Sequence, residues 1–233
     1  MHVWYFTVGT SYRLKRFFDI VLSLAALAAL SPFLLAVAVW VKLDSSGPVI
    51  YRQVRVGRFG RHFRFYKFRT MRIDADRIKQ RLMAENQSAD GVIFKMKRDP
   101  RVTRIGRYLR KFSIDELPQL LNILNGDMTL VGPRPERPEF YQKYCAEYPE
   151  FAYRLRAKAG LTGYAQLYGK YNTTFADKAL LDMYYIQKAS FLWDLQLIFY
   201  TLKIIFVKES TEGVETKPAE PEKKEPACAG ESK

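Results

Sequence analysis

Twenty-two consecutive residues without a charge, Ile20–Val41, constrain this chain more than any other feature. At about 1.5 Å rise per residue such a run forms a helix of roughly 33 Å, long enough to cross a bilayer core. It is too long for the apolar region of a cleaved signal peptide, which spans about 7–15 residues. Both flanks are basic: Arg13, Lys15 and Arg16 precede it, and Lys42, Arg52, Arg55 and Arg58 follow it. Positive charge favours the cytoplasmic side, so a straight span would misplace one flank. Ser31-Pro32 stands at the midpoint, where proline removes a donor and a neighbouring serine hydroxyl can satisfy the freed carbonyl. From the residues two readings stay open: a kinked span, or a helix broken at Ser-Pro that enters and leaves by one face.

The rest of the 233 residues, 48% hydrophobic and 15% aromatic, can build a core, which excludes wholesale disorder. The net charge of +14 is concentrated: positions 42–112 carry 20 Lys and Arg against 6 acidic residues, and the remainder balances. A basic segment of this size implies an anionic partner, whether nucleic acid, lipid headgroups or a phosphorylated substrate. Cys145 and Cys228 are too far apart to read as a disulfide framework or zinc site, which fits a reducing compartment. His2 and His62 cannot build a multi-histidine metal cluster.

After the apolar run the periodicity changes. Val49–Val54 and His62–Phe68 read as a small antiparallel strand pair turning through Gly57 and Gly60. Positions 71–86 favour helix, and Arg101–Lys111 is amphipathic, with Val102, Ile105 and Leu109 sharing a face with Phe112. In SIDELPQLLNILNG, Ser113 and Glu116 form a capping-box pattern and Asn125-Gly126 a stop, which predicts a helix over about 114–124. DMTLVG reads as a short strand, and PRPERPEF as too proline-rich for regular structure. Helices over 174–188 and 191–207 follow, capped by Thr174 and Ser190, the second buried or interfacial. Positions 209–233 read as a disordered tail.

Asp115-Glu116 is the pair with the most chemical content. In a first helical turn a carboxylate meets the positive end of the dipole and free N–H groups, so it stays ionised, and the same end attracts phosphate. An ionised Asp beside a phosphate is the arrangement that nucleophilic attack at phosphorus requires. Acidic residues are also ordinary in first turns, and Glu116 suits a capping box without any chemistry. Lys67, Arg69, Arg104, Arg107, Arg110, Lys111 and Arg134 supply the charge that a diphosphate needs neutralised, together with Mg²⁺. Arg134 lies between Pro133 and Pro135, which restrict its backbone. No dinucleotide-binding glycine motif, P-loop, G-x-S-x-G or H-E-x-x-H is present.

KRFFDI ahead of the Ser-Pro segment, then YKFRTM, SIDELPQLLNILNGDMTLVGPRPE and AGLTGYAQLYG, occur here in order. From about Tyr12 to Lys208 the chain thereby resembles the bacterial sugar transferase family, the monotopic polyprenol-phosphate phosphoglycosyltransferases, in a short form with about 12 residues ahead of the core. The resemblance implies transfer of a sugar 1-phosphate from a UDP-sugar to undecaprenyl phosphate, releasing UMP, as the initiating step of exopolysaccharide or O-antigen-type glycan assembly. It implies Asp115 as nucleophile and Mg²⁺ ligand, with Glu116 in support. Lys67, Arg69, Arg110, Arg134 and Asp194 are implied on the substrate side. It also implies a re-entrant hairpin in the bacterial inner membrane, with the catalytic domain on the cytoplasmic face and membrane lipids as partners. The expected architecture is α+β and mostly helical, with amphipathic interfacial helices: a lead over 1–12, the anchor over 13–43, the catalytic domain over 44–208, and the tail.

Two other classes compete. A membrane-tethered basic module binding nucleic acid or anionic lipid would use the interleaved Phe and Tyr of the basic segment for stacking, and be indifferent to Asp115 and Glu116. It leaves Pro-Arg-Pro and the acidic helix unexplained, and no nucleic-acid partner is expected. A non-catalytic scaffold would have no need of an intact Asp115, Glu116 and Arg134.

Overall fold

The uncharged run forms a single long helix, α1 (His2–Asp44), with Pro32 inside it and helical backbone on both sides. Pro32 has no N–H for the carbonyl of Ala28, and the Ser31 hydroxyl donates to that carbonyl at 2.9 Å instead. The computed structural model describes residues 2–82, 99–169 and 173–207. The tail from 209 and positions 83–86 of the expected 71–86 helix lie outside these.

Alternation in the next segments produces the expected hairpin, β1 (Ile50–Val56) and β2 (His62–Phe68), antiparallel from Ile50 opposite Phe68 to Val56 opposite His62. The turn between them places Phe59 and Gly60 at positive φ. Phe63 and Phe65 share one face of β2 and pack with Leu120, Ile123 and Met128, whereas Phe68, on the opposite face, is buried with Val37, Val41 and Leu109. Helix α2 (Ala75–Arg81) and helix α3 (Arg104–Lys111) follow; α3 is capped by the Thr103 hydroxyl, which accepts from the Gly106 amide at 3.0 Å. Ile105 and Leu109 of α3 pack with Val37, Val41 and Phe68, so the amphipathic face covers the second half of α1.

The segment expected as one helix over 114–124 is two pieces. A 3₁₀ turn, Ile114–Glu116, precedes helix α4 (Gln119–Asn125), which Gly126 ends at φ 90°. Strand β3 (Met128–Val131) matches expectation, but its parallel partner β4 (Ala159–Thr162) does not arise from any local pattern. The proline-rich stretch also holds a helix, α5 (Pro138–Glu147): Pro138 sits at its first position, where a missing N–H costs nothing. A 3₁₀ segment (Pro149–Arg156) and short α6 (Tyr164–Tyr168) lead to α7 (Phe175–Lys188) and α8 (Phe191–Val207). Thr174 and Asp177 close a reciprocal capping box on α7.

Both halves of α1 rest on this body. Toward its start, Arg16 donates to the carbonyls of Ile123 and Leu124 at 2.5 and 2.8 Å, capping α4, and Asp19 accepts from Thr129 and from the Leu130 amide. Toward its end, Asp44 accepts from the Ile105 amide at 3.1 Å, and Val37 and Val41 are buried. Between them, Ser31–Phe33 is exposed. The protein is mostly helical, with one small antiparallel sheet, a two-stranded parallel pair and one long apolar N-terminal helix.

Candidate active site

The site is assembled from three segments. Strand β2 delivers Lys67, the 3₁₀ turn delivers Asp115 and Glu116, and the loop after β3 delivers Arg134. Lys67 Nζ donates to Glu116 Oε1 at 2.7 Å and lies 3.6 Å from Asp115 Oδ2. The Arg134 guanidinium forks onto Glu116, with contacts of 3.0 Å to Oε2 and 2.5 Å to Oε1. Such bidentate pairing fixes direction as well as charge. Asp115 is buried, at 5% exposure.

The capping-box reading of Ser113 and Glu116 is corrected by this geometry. Ser113 adopts φ 54°, a left-handed conformation, and makes no cap bond. That reversal turns the chain so that Glu116 faces Lys67 and Arg134 instead of its own helix end, and a non-glycine residue held there costs on the order of 1 kcal/mol. Burial pushes the Glu116 carboxyl up, but Arg134 and Lys67 outweigh it and hold Glu116 well below the usual carboxylate range. Glu116 is therefore ionised and gathers Lys67 and Arg134, of which Lys67 also lies 3.6 Å from Asp115.

Lys67 is held in register by a residue that the motif reading passed over. In a two-stranded sheet the outer edge of β2 lacks a backbone partner, and Asn122 of α4 replaces one. Its side chain accepts from the Tyr66 amide at 3.0 Å and donates to the Arg64 carbonyl at 2.6 Å. A polar residue on the buried face of QLLNILN was the available signal: Gln119, Leu120, Asn122 and Ile123 are all buried.

The other expected site residues go elsewhere. Arg69 is buried against the end of α1, donating to the carbonyls of Val41, Ser45 and Pro48 and to the Ser45 hydroxyl. It closes the helix C-terminus onto the body. Arg110 donates to the Thr70 hydroxyl at 2.9 Å from the last turn of α3. Asp194, in the first turn of α8, accepts from Lys15 of α1 and, at 2.7 Å, from the Tyr185 hydroxyl; Lys15 and Tyr185 both donate to the Val131 carbonyl as well. Arg69 and Asp194 thus tie α1 to the body by polar contacts at both ends. Among the described residues no group of three or more His, Cys, Asp and Glu side chains is placed to hold a metal.

Known proteins resemble this chain over most of its length. Residues 10–208 match the family described as bacterial sugar transferase. The chain is 44% identical over 194 residues to the galactosyl transferase CpsE of Streptococcus agalactiae, covering 83% of this chain and 42% of that protein. It is 39% identical over 200 residues to the undecaprenyl-phosphate galactose phosphotransferase of Salmonella typhimurium, covering 84% and 41%. With the exopolysaccharide production protein ExoY of Sinorhizobium fredii it shares 40% identity over 197 residues, 82% of this chain and 84% of that one. The chain therefore spans about two fifths of the length of the first two relatives and most of the third. The match spans α1 from position 10 onward, Lys67, the Asp-Glu dyad and Pro-Arg-Pro, and the chain belongs to the bacterial sugar transferase family.

Proposed function

We propose that this protein transfers a sugar 1-phosphate from a UDP-sugar to undecaprenyl phosphate and releases UMP, initiating the assembly of an exopolysaccharide or O-antigen-type glycan. The observation that carries the reading is the buried Asp115 carboxylate set beside Lys67, with Glu116 orienting Lys67 and Arg134 around it. The name of the Salmonella relative, an undecaprenyl-phosphate galactose phosphotransferase, supports the same chemistry. Asp115 attacks the sugar-bearing phosphorus, the bond from that phosphorus to the bridging oxygen breaks, and UMP leaves with that oxygen. An oxygen of the lipid phosphate then attacks the same phosphorus and frees Asp115, a ping-pong sequence through an aspartyl phosphosugar. Arg134 and Lys67 neutralise the phosphates, which is where most of the protein's contribution to phosphoryl transfer lies.

A Mg²⁺ ion fits this donor set. Mg²⁺ is commonly held by one or two carboxylates together with substrate phosphates and water, without a dedicated protein cage. Glu116 gives both oxygens to cations, so Asp115 is the carboxylate we assign to the ion, which would supply further neutralisation of the diphosphate.

The docking of α1 supports a re-entrant anchor on the cytoplasmic face of the inner membrane. Lys15–Asp19 and Val37–Asp44 contact one water-facing body, so both ends belong on the same side, as the basic flanks require. The apolar outer sides of α3 (Tyr108) and α8 (Leu192, Phe199) suit the interface. Val8→Cys and Ser46→Cys, in a background lacking Cys145 and Cys228, are expected to react with an impermeant thiol reagent from the same side of sealed vesicles; labelling from opposite sides would establish a span. The activity itself is tested by UMP release from a panel of UDP-sugars with undecaprenyl phosphate and Mg²⁺ in detergent. Release with one donor supports the reading, and silence across the panel with folded protein counts against it.

A further inference from the structure

Arg134 is a single guanidinium on a loop, and its aim depends on the backbone beneath it. That backbone is held at every residue. The carbonyl of Pro133 accepts from the Gly160 amide, that of Arg134 from the Arg154 guanidinium, that of Pro135 from the Arg55 guanidinium, and that of Glu136 from the Val56 amide, each at 2.9 Å. Pro133 and Pro135 have fixed φ and no N–H to satisfy. Four consecutive carbonyls are thus tied to β4, the 3₁₀ segment and β1.

The two arginines are themselves held. Arg154 is 5% exposed, donates to Asp182 at 2.6 Å and lies 3.8 Å from Glu136; Asp182, on α7, is 1% exposed. Arg55 lies 3.8 Å from the other Glu136 oxygen and over the Phe65 ring. The Arg154 side chain is buried in its pair with Asp182, and the Arg55 side chain is 15% exposed. Burial lowers Arg55 to about 10, partly countered by Glu136, so it remains charged at neutral pH.

We infer that Arg55 and the Arg154–Asp182 pair are positioning residues for the transferase reaction, holding the Pro-Arg-Pro backbone so that Arg134 is aimed at the donor diphosphate. The inference rests on the reading of Arg134 as a phosphate-binding group. A misplacement of about 1 Å at such a group costs up to about 100-fold in rate.

The test is a double-mutant cycle on UMP release, with donor concentration varied. Arg154→Met with Asp182→Leu removes the buried pair in one step; replacing a buried ion pair by apolar residues of similar size is commonly neutral for stability. Arg55→Met is the second, independent variant and carries the cycle alone if the paired variant fails to fold. Each is expected to lower kcat/KM by about 10- to 100-fold in the parent. In an Arg134→Lys background the loss should shrink to about threefold or less, because the effect acts through Arg134. Equal losses in both backgrounds, or parent kinetics, overturn the inference. Hydrogen exchange at the Val56 and Gly160 amides, which donate to the Glu136 and Pro133 carbonyls, separates it from the functional reading: faster exchange in the variants without any UDP-sugar turnover in the parent retains the pinning and discards the function, whereas unchanged exchange discards the pinning.

Discussion

Asp115→Asn lowers UMP release by at least about 10⁴-fold while leaving the fold intact. The amide matches the carboxylate in shape, so the buried position at 5% exposure is filled as before. It lacks the negative charge and nucleophilic oxygen that the acyl phosphate requires. Lys67 keeps its 2.7 Å bond to Glu116, so the cation does not lose its principal partner and the melting temperature should move little. The parent also has a signature that the variant lacks. Without undecaprenyl phosphate, a ping-pong enzyme releases about one equivalent of UMP and stops. A burst in the parent, absent in Asp115→Asn, identifies Asp115 as the nucleophile. Variant turnover within tenfold of the parent removes Asp115 from that role, and a parent without a burst points to direct transfer between the two substrates.

Asp194→Ala is the substitution expected to cost most in stability. It strips the carboxylate from Lys15 and Tyr185, which stay gathered at the Val131 carbonyl. Burial, reinforced by Asp194, pushes the Tyr185 hydroxyl far above its ordinary value, so it acts as a neutral donor and cannot replace the lost charge. A cation left without its buried partner typically costs about 3–5 kcal/mol. The Lys15 side chain is 24% exposed, which places the expected loss toward the lower end of that range. Lys15→Met with Asp194→Leu should recover most of it, since neither charge is then stranded. Thermal unfolding in detergent reads both, and donor KM per folded molecule should be unchanged. A fall in kcat at unchanged melting temperature would return Asp194 to the chemistry that the family resemblance assigned to it.

That assignment shows where linear reading succeeds. KRFFDI and the aspartate of α8 stand out in the sequence because both put charge beside apolar runs. What they contact is each other, across 179 positions of chain. The same holds for Arg69, which YKFRTM presents beside Lys67 on one strand. Residues two apart share a strand face, but Arg69 lies just beyond β2 and turns to the carbonyls of Val41, Ser45 and Pro48. Asn122 was legible as a polar residue on an apolar helix face, although its role as a substitute strand was not.

Local chemistry along the chain determined a good deal by itself: the uncharged helix and its Ser-Pro midpoint, the alternating hairpin, the caps of α7 and α8, and Asp115-Glu116 ahead of a helix. Each depends on residues within about one turn or one pleat of one another. The tertiary structure alone decided which cations meet Glu116, that Ser113 reverses the chain instead of capping it, and that β4 pairs with β3. It also decided that Arg55, Arg154 and Asp182 support Arg134. These depend on segments 18 to 80 residues apart in sequence, whose meeting is set by burial of the intervening core and leaves no local periodicity to read.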